Sequence, residues 1–158
     1  MIKKKDKVLF FISVLAFLMF SISFLLMPTD NSVLTVISGA MFWLTLIVGV
    51  ASQIIVSASI KKWKLQNKGK LKRHLKRNGL ISFFSNPIAK TFDVLMVIGL
   101  IGFVISMLIT NATGYVCYIF IAITIFSFSS HCIFNGKNFY YIKNEENLTF
   151  SSDREEQK

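Results

Sequence analysis

Long apolar runs alternate with short polar connections along the whole chain. Residues 8–27 and 33–60 contain no charged side chain, residues 88–109 hold only Lys90 and Asp93 near their start, and residues 115–134 hold only His131. A helix rises 1.5 Å per residue, so about 20 such residues match the roughly 30 Å hydrocarbon core of a bilayer. The four runs are apolar on every face, which separates them from the one-sided helices of water-soluble domains. The pattern predicts transmembrane helices over 8–27, 33–60, 88–109 and 115–134. The second run exceeds what one crossing needs and is expected to tilt or to continue past the interface.

Punctuation between the runs agrees with this division. Pro28-Thr29-Asp30-Asn31-Ser32 and the stretch from Thr110 to Gly114 read as tight turns. Asn86-Pro87 offers an N-cap followed by proline at the first helical position, and Asn135-Gly136 reads as a stop. Lys3, Lys4, Lys5 and Lys7 resemble the basic start of a signal peptide. The apolar run behind them is longer than an ordinary signal core and has no A-x-A-like cleavage site before Pro28, so an uncleaved anchor is expected.

Charge sets the direction. The chain has 158 residues and a formal net charge of +10, with all 18 lysines and arginines in the N-terminal tail, at or near the middle loop, or in the C-terminal tail. The turns at 28–32 and 110–114 contain none. The positive-inside rule therefore places both termini and the middle loop in the cytoplasm. The expected fold is all-α: an integral membrane four-helix bundle of the cell membrane, N-in/C-in, with a basic N-terminus over 1–7, a membrane domain over 8–142 and a flexible tail over 143–158. Lysine outnumbers arginine 15 to 3, a bias typical of AT-rich coding sequence and in keeping with a low-GC bacterium. On this topology the Asn111-Ala112-Thr113 sequon lies outside as a membrane-hugging turn, and Asn147-Leu148-Thr149 faces the cytoplasm.

The connection over 61–86 opens with a strongly basic block. Its charged members are Lys61, Lys62, Lys64, Lys68, Lys70, Lys72, Arg73, Lys76 and Arg77, with no acid among them. Beside a membrane each is drawn toward anionic headgroups by about 1 kcal/mol. Trp63 is expected as an interfacial anchor, Leu71 and Leu75 as one side of a short surface helix, and His74 as one more interfacial residue. The expected contacts are anionic lipid headgroups and, beyond them, a membrane-protein partner or a second copy of the chain. Nucleic acid is disfavoured because a single aromatic is interleaved with the charges and no recognition fold has room to form. The stretch 80–84 is expected in the interface plane, and Phe139, Tyr140 and Tyr141 as an aromatic belt.

Small and polar residues recur at helical spacing inside the spans. Gly102 and Ser106 form a small-xxx-small pair with Gly99 nearby, and Thr45, Gly49, Gln53 and Ser57 recur every four residues. Cys117, Thr124, Ser127 and His131 share one broad face of the fourth span. Depth arithmetic singles out one constellation. Asp93 precedes Thr110 by 17 residues and His131 follows Gly114 by 17, so both lie about 25 Å from the outer turn. In an antiparallel hairpin they meet, and Gln53 and Cys132 reach a similar level. A carboxylate beside an imidazole fixes the ring's orientation and favours its proton, so Gln53, Asp93, His131 and Cys132 form the candidate inner-leaflet site, while a structural clasp closing the hairpin explains the Asp93–His131 pair equally well.

His131 and Asn135 stand in an H-x-x-x-N spacing that resembles one motif of the CAAX-protease-like membrane peptidases. The companion motif of that family, an intramembrane Glu-Glu with a following arginine, has no counterpart, since Glu145-Glu146 lies in the polar tail. No glutamate lies within a span, which disfavours proton-coupled drug export of the small-antiporter kind. Cys117 and Cys132 sit near opposite ends of one span, too far apart to pair, and there is no CxxC, HExxH or phosphate-cradling loop. The chain is expected to act without catalysis and without a cofactor or metal, through helix and loop contacts, as an accessory subunit or an immunity-type protector. The alternative is a small oligomeric transporter or membrane enzyme built on the inner-leaflet site.

Overall fold

A computed structural model of the chain describes residues 2–28, 31–68, 71, 79–110 and 114–148. Lys70, Lys72, Arg73, His74, Leu75, Lys76 and Arg77 lie outside the described residues, as do the 111–113 sequon and residues 149–158. Four long helices, α1 (Lys4–Leu26), α2 (Ser32–Gln66), α3 (Pro87–Thr110) and α4 (Tyr115–Asn135), are followed by two short ones, α5 (Lys137–Lys143) and α6 (Glu145–Leu148). All four long helices are long and apolar enough to cross a membrane.

Capping explains where α2 and α3 start. The Asn31 side chain accepts from the amides of Val33 and Leu34 at 2.9 and 3.3 Å, and Asn86 accepts from the Ala89 amide at 2.8 Å with Pro87 at the first helical position. α4 stops at Gly136, whose extended backbone (φ −67°, ψ 162°) turns the chain into α5. A Cβ there would stand 3.0 Å from the Ile133 carbonyl oxygen and 3.1 Å from that of Cys132, rigid backbone atoms that cannot give way.

The helices form an open row in the order α2, α1, α4, α3. α1 packs on α2, α3 on α4, and the two hairpins join through α1 and α4, leaving α2 and α3 at the ends without sustained packing on each other. Burial follows this order: 33% of the most apolar 18-residue stretch of α4 and 28% of that of α1 is buried, against 17% for α3 and 11% for α2. Val36, Leu44 and Ile47 on α2, and Ile101, Leu108 and Ile109 on α3, are more than half exposed. Faces this apolar are untenable in water and natural in hydrocarbon. Five buried hydroxyls are satisfied locally: Ser13, Ser21, Ser23, Ser38 and Ser106 donate to carbonyls three or four residues back.

Both hairpins close at glycines. A Cβ on Gly102 would fall 2.2 Å from the Phe120 ring, and one on Gly99 would fall 2.5 Å from Thr124 Oγ1, so α3 and α4 touch almost backbone to backbone there. Ser106 is buried one turn further along α3. Gly49 faces the edge of Phe17 on α1, with 3.0 Å for an added Cβ.

One end of the row carries both described chain ends. The Ile2 amide donates to Glu145, Lys7 pairs with Glu145 at 2.9 Å, and Ile2, Phe10, Val56, Ile60, Trp63, Ile133 and Leu148 form the apolar core beside them. The aromatics interlock here, with Phe10 stacked on Phe139 and Phe92 on Phe134 at centroid separations of 5.7 and 5.4 Å. We call this the basic end, because α2 extends through Lys61, Lys62 and Lys64 to it.

Three features of the basic end differ from the sequence reading. Residues 61–66 are helical because the long apolar run of α2 propagates into them rather than stopping at the first lysine. Trp63 is 6% exposed and packs edge-on against Tyr141, an inward position rather than an interfacial one. The segment 143–148 is docked rather than free, since Glu145 is buried and its carboxylate meets Lys7 and the Ile2 amide.

Candidate functional site

Asp93, in the second turn of α3, meets His131, near the end of α4, at the basic end of the row. Asp93 Oδ1 contacts His131 Nδ1, and the two side chains are 1% and 2% exposed. The other carboxylate oxygen accepts from the Phe84 amide at 2.6 Å. Phe84 holds a left-handed backbone (φ 54°), costly for a bulky residue, and that conformation accompanies the aim of its N–H at the carboxylate. Phe83 lies over the imidazole with ring centroids 4.9 Å apart. Phe83 and Phe84 thus cover the pair, while Leu80 and Ile81 stay exposed.

The hydrogen-bond chain fixes the imidazole's proton. Asn86 Oδ1 is committed to the Ala89 amide, so its Nδ2 donates to Asn135 Oδ1 at 3.1 Å, where Ser85 also donates at 2.7 Å. Asn135 Nδ2 then faces the Ser82 carbonyl at 3.0 Å and His131 Nε2 at 3.2 Å. An amide nitrogen has only protons to offer, so Nε2 is the acceptor and Nδ1 carries the proton toward Asp93. Each polar atom of the triplet Asp93, His131, Asn135 has a partner. For the ring to act as a base, Nε2 must first release Asn135, and the Ser85 hydroxyl is turned to Asn135.

Gln53 does not join this cluster. Its Nε2 donates to Ser13 on α1 at 2.6 Å, and its Oε1 and backbone carbonyl accept from Asn138 on α5 at 2.7 and 3.1 Å. Asn138 in turn accepts from Ser57 at 2.9 Å. The reason is the row: α2 lies on the far side of α1 from α3 and α4, so equal depth does not bring Gln53 to Asp93. Cys132 also stays outside the Asp93 cluster. It is half-buried and lines, with Gln53, a groove of about 650 Å³ between α2 and α4.

Of the basic block, Lys61, Lys64 and Lys68 line a second cavity of about 540 Å³ against α5, and Lys64 sits 4.8 Å over the Tyr141 ring. Lys62 borders a smaller cavity of about 250 Å³ with Asp6 and Trp63. Asp6 Oδ1 and Trp63 Nε1 are buried without a hydrogen-bond partner among the described residues, as are the hydroxyls of Ser127 and Ser130. No group of three His, Cys, Asp or Glu side chains that could hold a metal occurs among the described residues. Sequence reasoning missed Ser13, Asn138 and the closing role of Asn135, although the H-x-x-x-N spacing pointed to the last. No protein-family model matches the chain, and no curated protein or solved structure is significantly similar to it.

Proposed function

We propose that the chain is a multi-pass protein of the cell membrane, with both termini in the cytoplasm, that acts non-enzymatically through helix and loop contacts. It serves as an accessory subunit of a larger membrane complex or as an immunity-type protector against a peptide toxin. The observation that carries this reading is the open row: α2 and α3 offer unpartnered apolar faces at its two ends, while the buried carboxylate–imidazole pair is spent on holding α3 to α4. The gathering of Lys3, Lys5, Lys61, Lys62, Lys64 and Lys137 at one end supports a cytoplasmic basic end under the positive-inside rule.

Photo-crosslinking side chains placed at Ile47 on α2 and Ile101 on α3 test it in native membranes. A defined protein or peptide adduct at one of these faces is expected, and adducts to lipid alone at both contradict the reading. The enzymatic or transporting alternative is separated by Asp93→Asn and His131→Ala. An unchanged cellular phenotype at normal protein level favours contacts, and a lost phenotype at normal level moves the function to the buried pair.

A further inference from the structure

The two larger of the three cavities described above are parts of one feature. They share Ser57, Lys137 and Asn138, so the groove between α2 and α4 runs directly into the lysine-lined cavity at the basic end. Phe17 of α1 lines the groove with Val50 and Ile54 of α2 and Phe128 of α4, and the groove stays open on one side. Its mouth is different in kind. Lys61 and Lys64 stand one turn apart on α2, Lys68 follows just past the end of that helix, Lys137 stands opposite at the start of α5, and no carboxylate lines either cavity among the described residues.

Dimensions and charge select the occupant. From Val50 to Lys61 is 11 residues, about 16 Å along the helix, which matches the roughly 15 Å depth of one leaflet's hydrocarbon. An apolar trough one leaflet deep that ends in four cations is complementary to a single amphiphile with an acyl chain and an anionic head. The Gln53–Asn138–Ser57 bridge lies at the junction, where the ester region of a glycerolipid would fall. A soluble acidic peptide would use the lysines and leave the trough empty; a bulk lipid would use the trough without choosing its head.

We infer that this groove binds one anionic glycerophospholipid from the leaflet at the basic end, its acyl chain between α2 and α4 and its phosphate on Lys61, Lys64, Lys68 and Lys137. The inference rests on the membrane reading above and adds a stoichiometric site to it. Charge at the mouth sets head selectivity, worth about five-fold per lysine. The trough sets retention.

The full-length protein, purified in mild detergent and exchanged into vesicles of phosphatidylglycerol mixed with phosphatidylcholine, is released for native mass spectrometry to count retained lipids. One phosphatidylglycerol per chain is expected. It should be lost when Lys61, Lys64, Lys68 and Lys137 are all replaced by glutamine, and also in Ile54→Trp. Ile54 is 63% exposed, so the larger ring fills the trough without entering the core. Circular dichroism checks that both variants stay helical. Equal retention of both lipids overturns the inference, as does retention unaffected by Ile54→Trp, which marks lipid held by charge alone. Glycerol phosphate, inorganic phosphate or an acidic peptide binding the mouth equally well in the absence of lipid also overturns it. Extraction of the chain from membranes by alkaline carbonate defeats the membrane reading itself; a chain that resists carbonate and retains no phosphatidylglycerol defeats only the lipid site.

Discussion

The Asp93 cluster joins α3 to α4 and the Gln53 cluster joins α2 to α1 and α5, at the same end of the row; Asp93 and His131 are buried, whereas Gln53, Ser57 and Asn138 line a groove. In the first, a carboxyl side chain and an imidazole are buried under Phe83 and Phe84, and the backbone of 82–84 supplies part of the bonding. In the second, every member is neutral, and Gln53, Ser57 and Asn138 form part of a groove wall. The chemistry usually associated with reaction has been enclosed, and the chemically bland amides stand where a ligand can pass. A buried ionisable pair marks a functional site only if one of its atoms remains available, and here the hydrogen bonds leave none.

The contrast is broken most severely at the pair itself. Asp93→Ala leaves the imidazole and the Phe84 amide buried without an acceptor, and His131→Ala leaves a buried carboxylate. Each should cost about 3 kcal/mol or more in thermal unfolding followed by circular dichroism in nanodiscs. Gly102→Ala follows, because its Cβ would fall 2.2 Å from a Phe120 ring carbon and must push the hairpin apart, at a cost of about 1–3 kcal/mol. Replacing Phe120 with leucine in that background should recover part of the loss, which separates a steric cause from a general one.

Gln53→Leu sharpens the comparison from the other side. It removes the bonds to Ser13 and Asn138 but no member of the Asp93 cluster, and about 1 kcal/mol is expected, read as faster proteolysis of the α1–α2 half in detergent. Protection of α3 and α4 should be unchanged. Gly49→Ala should have the smallest effect, a few tenths of a kcal/mol in a denaturant titration, since the Phe17 ring edge 3.0 Å away can swing aside.

The sequence made depth legible and left lateral order hidden. The absence of charge over 8–27 and 33–60 located the first two helices, and equal counts from a short turn brought Asp93 to His131, because a tight hairpin allows only one partner at each level. Gln53 was assigned to the same group on depth alone and belongs elsewhere, since nothing in an apolar run says which neighbour a helix takes. The meeting of α1 with α4 depends on Phe10, Phe134 and Phe139, residues far apart in sequence with no spacing to betray them. Glu145 looked like part of a solvated tail for the same reason: its partners, Lys7 and the Ile2 amide, lie at the other end of the chain. Trp63 read as an interfacial anchor because tryptophan beside lysine usually is one. Here Tyr141 and the apolar core around Ile60 cover it instead.

The most direct test of the enclosed pair is a double-mutant cycle on Asp93→Ala and His131→Ala, with unfolding free energies measured in nanodiscs and the cellular phenotype scored at matched protein levels. The account predicts that each single change destabilises by about 3 kcal/mol, that the double change costs little more than either, and that the phenotype follows protein level alone. Single variants of full stability that nevertheless lose the phenotype would contradict it and make the pair a reactive site.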